Sequence, residues 1–129
     1  SYFRHASGVE QTIRTRSCGS FGEALLLSSS PDLFETEEER ASFARISKAV
    51  RLRRFGGDCY NYCLLALGHI DLVVEAGLKP FDILPLIPII ERAGGLVTTW
   101  EGGDPRSGGH ILAAGDARIH AAAVRVLSG

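Results

Sequence analysis

The stretch from Ile70 to Gly95 most constrains what this chain can fold into. Ile70-Asp71-Leu72-Val73-Val74-Glu75 reads as a buried strand, and a few residues later Ile83 to Ala93 is almost wholly apolar and reads as a buried helix closed by Gly94-Gly95. Between them, Leu78-Lys79-Pro80-Phe81-Asp82 sets a proline just before the helix and one acid at its mouth. A strand feeding a buried helix is the repeating unit of layered α/β folds.

The rest of the chain alternates in the same way. Tyr2 to Glu10 resembles the middle of a β-hairpin, and Gln11 to Arg16 a short, partly exposed strand. Ser20 and Glu23 have capping-box spacing. Ala24 to Ser28 is a buried strand. Thr36 is the N-cap of a helix whose first turn, Glu37-Glu38-Glu39, suits the positive end of the dipole, with Phe43, Ile46, Ala49 and Val50 as its apolar stripe. Arg51 to Phe55 reads as a strand ended by Gly56-Gly57, and Asp58 caps a helix to about Leu67 that Gly68 closes. Strands at Leu96–Trp100 and His110–Ala114 flank a polar loop, and Asp116 caps a last helix to Leu127. The expectation is one α/β unit over residues 1–129, a mixed or mostly parallel sheet flanked by helices.

Composition excludes several classes. A net charge of −1 argues against a nucleic-acid surface, and no span approaches the apolar length that crosses a membrane. Three cysteines, Cys18, Cys59 and Cys63, read as reduced thiols in a cytoplasmic setting. Cys59 and Cys63 share a helix face, but a zinc site would need two more ligands nearby. There is no Gly-x-Ser-x-Gly, and the Gly102-Gly103 and Gly108-Gly109 pairs match no nucleotide-binding pattern. His5, His69, His110 and His120 have no ligand spacing and read as surface or structural residues.

Ligands in open α/β sheets collect at the carboxyl ends of strands. Gly56-Gly57-Asp58 follows one strand, Glu75 ends the next, and Asp82 opens the helix after it. Locally each acid has two readings: Asp58 and Asp82 as plain helix caps or as site carboxylates, and Glu75 as a solvated surface acid or a site residue.

Four runs carry a resemblance: Arg54-Phe55-Gly56-Gly57-Asp58-Cys59-Tyr60, Gly68-His69-Ile70-Asp71-Leu72-Val73-Val74-Glu75, Lys79-Pro80-Phe81-Asp82 and Glu91-Arg92-Ala93-Gly94-Gly95. Together with Ala113-Ala114-Gly115-Asp116 they resemble the C-terminal half of the inositol monophosphatase superfamily. The Gly-Gly-Asp-Cys-Tyr and Leu-Lys-Pro-Phe-Asp forms are most similar to its bacterial histidinol-phosphate phosphatase branch. The resemblance implies a fragment of a chain about twice as long, which agrees with the start at Ser1 and the absence of Met. The water-activating residues and the other metal-binding acids would lie in the other half, leaving no catalytic residue in this one.

The resemblance also implies roles. Asp82 matches a magnesium ligand, with Phe81 where the family usually has Trp. Glu75 matches an acid that contacts the organic part of the substrate, and Gly56, Gly57 and Asp58 line the substrate pocket. A carboxylate at Asp58, where inositol phosphatases have small or hydroxyl residues, suits a cationic substrate held jointly with Glu75. The expected activity is magnesium-dependent hydrolysis of a small phosphate monoester, histidinol phosphate first, by a cytoplasmic homodimer without nucleic-acid or membrane partners. The isolated chain is expected to be inactive. The alternatives are an inositol monophosphatase or another monoester phosphatase of the same fold, and a non-catalytic binding or assembly module.

Overall fold

Short apolar runs separated by capped helices fold here into one mixed sheet with a core on each face. A computed structural model describes residues 2–4, 10–57 and 60–128. In chain order the elements are β1 (Tyr2–Arg4), β2 (Glu10–Thr12), β3 (Leu25–Ser28), α1 (Glu37–Ala49), β4 (Leu52–Phe55), α2 (Tyr60–Ala66), β5 (Leu72–Leu78), α3 (Pro80–Ile83), α4 (Ile87–Arg92), β6 (Leu96–Thr98), β7 (Gly109–Ala114) and α5 (Ala117–Ser128). β1 and β2 pair antiparallel, with Phe3 opposite Gln11. The main sheet has the order β4-β3-β5-β7-β6, with β4 and β5 parallel to β3 and β7 antiparallel to both β5 and β6. Among the described residues no helix is long and apolar enough to cross a membrane.

The chain leaves β3 for β4 on one side and then crosses back to β5 on the other. Right-handed crossovers in opposite directions put their helices on opposite faces. That is the arrangement found. Phe43 and Ile46 of α1 join α5 in one core, and Tyr62 and Leu65 of α2 join Ile90 of α4 in the other. Phe34 stacks on Phe43 at 4.2 Å, and Thr36 with Glu39 completes a capping box that starts α1. Full burial of such side chains is worth roughly 1.5–3 kcal/mol each.

Five local expectations change. The strand foreseen over Gln11–Arg16 stops at Thr12, because the backbone beyond it is tied elsewhere: Thr15 donates to the Ala93 carbonyl, and the Arg16 guanidinium grips Asp71 in two bonds of 2.8 and 2.7 Å. Ser20 makes no side-chain cap; a single 3-10 turn, Phe21–Glu23, takes that place. The Leu96–Trp100 strand ends at Thr98. The helix after Pro80 is two helices, since Pro85 and Pro88 lack the N–H groups a continuous helix needs. Finally, β5 does not end at Glu75 but runs to Leu78, pairing Leu78 with Gly109 across an irregularity at Gly77, whose φ is +73°. Glu75 is therefore a mid-strand residue.

Candidate active site

The carboxyl ends of the parallel strands β3, β4 and β5 lie together, and the change of direction between β4 and β5 opens a crevice there. Glu75 points into the α2 side of β5 and is only 2% exposed, which excludes the surface-acid reading. Tyr62 of α2, equally buried, donates its hydroxyl to Glu75 Oε1 at 2.7 Å. The Ser29 backbone N–H, just past β3, donates to Oε2 at 3.2 Å. Burial first, and then the nearby charges of Glu75 and Asp82, push the Tyr62 phenol well above its usual pKa. Tyr62 is therefore a fixed donor across the working pH range.

Asp82 faces the same cleft, whose volume is about 340 Å³. Its Oδ2 accepts the Lys79 backbone N–H at 2.9 Å, and its own N–H donates to the Lys79 carbonyl. The cap role is thus real, but it uses one oxygen; Oδ1 accepts no hydrogen bond from the described residues. Leu33, Leu78 and Leu86 supply the apolar wall, and among the described residues no Lys, Arg or His lines the cleft. Asp82 fits a hard divalent cation as one ligand among several. Among the described residues no group of three or more His, Cys, Asp or Glu side chains is placed to hold a metal ion.

The structure thus brings Glu75 and Asp82 together. Gly56 and Gly57 sit beside them rather than in the cleft wall: Gly56 donates to the Ser28 and Ser29 carbonyls, tying the end of β4 to β3. Gly57 needs to be glycine, with φ at +89° and the Asn61 amide oxygen where a Cβ would lie. Asp58 and Cys59 lie outside the described residues. Ser29 and Tyr62 went unnoticed in the sequence. A tyrosine among the apolar positions of α2 carries no signal that it will meet an acid on the next strand.

A second concavity, about 570 Å³, lies on the α1/α5 face. Its Glu39 bonds His110 Nε2 at 2.6 Å through one oxygen and the Thr36 and Glu35 N–H groups through the other. Trp100 stacks on His110 at 4.2 Å, and Arg45 donates to Ser42 and to the Val126 carbonyl. The groove is larger than the cleft, but Glu39, His110, Arg45 and Ser42 at its centre are bonded to partners within the fold, so it reads as a tertiary clasp. It also gives Glu39 and His110 structural work: Glu39 is more than part of a solvated first turn.

The sequence model of the inositol monophosphatase family matches residues 4–128. The Arabidopsis thaliana protein "Bifunctional phosphatase IMPL2, chloroplastic" is 42% identical over 126 residues, covering 91% of this chain and 36% of that protein. A structure of an inositol monophosphatase from Zymomonas mobilis superposes with a TM-score of 0.86 at 44% identity, covering 91% of this chain and 47% of that one. The histidinol-phosphatase of Chlorobaculum parvum is 39% identical over a shorter stretch, 40% of this chain and 20% of that protein. The chain thus spans about a third of the first of these proteins and about half of the second. It belongs to the inositol monophosphatase family.

Proposed function

We propose that the protein carrying this chain hydrolyses a small phosphate monoester, and that its favoured substrate is histidinol phosphate. The observation that supports this most is the setting of Glu75. It is a buried carboxylate whose described partners, a phenol and a backbone amide, are both neutral. A buried charge without a counter-ion is costly, and a cationic substrate group would supply that counter-ion through a charge-assisted hydrogen bond. Asp58, next after Gly57 in the sequence, would add a second carboxylate.

Asp82 would contribute one oxygen ligand to magnesium. When bound, magnesium supplies Lewis-acid stabilisation of phosphoryl charge and an acidified water. This chain's own part is to orient: Lys79 and Ser29 fix the two carboxylates through backbone N–H groups, and the leucine wall excludes water from the organic end. With Asp82 as the metal ligand proposed among the described residues, and the water-activating residues expected in the other half, the 129 residues alone should show no turnover; phosphatase activity in purified chain, free of host enzyme, would refute that.

The deciding experiment compares histidinol phosphate with inositol monophosphate on the full-length protein. A higher kcat/KM for the former is expected, with Asp58→Ala eroding that preference more than it erodes turnover. Equal losses on both substrates would sink the specificity claim.

A further inference from the structure

We propose that Tyr62 is a positioning residue that sets substrate preference, holding Glu75 in the one orientation in which its carboxylate meets the cationic end of the substrate. This rests on the reading of Glu75 given above. The two side chains come from different elements, α2 and β5, and meet at 2.7 Å with both residues 2% exposed. The Ser29 amide holds the second oxygen from a third direction. Each carboxylate oxygen accepts more than one hydrogen bond, so one donor per oxygen locks the rotamer and still leaves a site for an ammonium or imidazolium. Without the phenol, a carboxylate in an apolar pocket has one fixed donor, and a substrate must order it on binding.

The cleft composition supports a specificity role over a merely structural one. Asp82 faces the same space, and among the described residues the charged side chains that line it are the two acids. Leu33, Leu78 and Leu86 keep the remaining wall apolar, which strengthens any ion pair formed there. The phenol adds no charge; it adds direction.

The test uses the full-length protein and Tyr62→Phe, which removes the hydroxyl and keeps the ring in its core position. One charge-assisted hydrogen bond predicts a rise of about tenfold in KM for histidinol phosphate. The value of kcat should stay within about twofold, and KM for inositol monophosphate should change by less than about twofold. In a Glu75→Gln background the same substitution should add nothing, because its route of action is gone. Equal changes on both substrates, or an undiminished effect of Tyr62→Phe when Glu75 is already Gln, would overturn the assignment. Wild-type protein without a preference for the cationic ester would overturn the substrate reading and this inference with it. A wild-type preference that survives Tyr62→Phe unchanged would overturn the role of Tyr62 alone.

Discussion

The cleft at Glu75 and the groove at Glu39 use similar parts for opposite ends. Each holds a partly or fully buried glutamate against an aromatic ring system, and the groove is the larger by volume. Glu39 is answered by an imidazole and two backbone amides, so both of its oxygens are taken up by three partners inside the fold. Glu75 is answered by a phenol and one amide, and beside it Asp82 keeps an oxygen unclaimed by the described residues. On the proposed function, the larger concavity is not the site. What marks the cleft is a buried acid oriented by neutral donors beside a second acid with an oxygen left over among the described residues.

Four substitutions in the full-length protein would break or sharpen that contrast. The largest effect is expected from Asp82→Asn. Loss of an anionic metal ligand removes about 3 kcal/mol of transition-state stabilisation, or about 100-fold in kcat/KM, with little change in thermal stability. An activity loss below tenfold would mean that Asp82 is only a cap. Glu75→Gln comes next, with a fall of about 10- to 100-fold in kcat/KM for the amine-bearing substrate and a smaller one for inositol monophosphate.

The groove should respond in stability, not in rate. Glu39→Gln should destabilise by roughly 1–2 kcal/mol while leaving kcat/KM unchanged, since it weakens a helix cap and an ion pair. The Thr36 N–H first, then the His110 contact and the Glu35 N–H, hold the Glu39 carboxyl below its ordinary value of 4.5. A lowered folded pKa adds stability above the unfolded value, and that stability is lost as pH falls through the folded one. Denaturant unfolding of the wild type and Glu39→Gln should therefore converge in acid and separate above about pH 5. The smallest change belongs to His110→Ala, about 0.5–1 kcal/mol, because the imidazole is more than a third exposed at 37% and its pairing is screened. A loss of activity in either groove variant would erase the distinction between the two sites.

Local sequence signals did well where the determining partners are neighbours in the chain. Thr36 with Glu39, the stripe of Phe43 and Ile46, and the cap of Asp116 on α5 are all short-range, and the structure shows them. The signals failed where distant partners decide. Thr12 ends its strand because residues beyond it are needed by Ala93 and Asp71, over fifty positions away. Glu75 looks like a strand end only because a charged residue breaks an apolar run. Its burial follows from Tyr62 and Ser29, neither of which announces itself in the sequence.

By itself, the sequence determined the alternation of strands and helices, the family motif and the three acids worth suspecting, Asp58, Glu75 and Asp82. Those follow from local periodicity, caps and spacing, which act over a few residues. Only the tertiary structure decided that Glu75 is buried and oriented by Tyr62, that Asp82 caps with one oxygen and faces the cleft, and that the larger groove is a clasp. The physical reason is that burial and hydrogen-bond satisfaction are properties of packed neighbours, and here those neighbours come from α2, β3 and β5 at once.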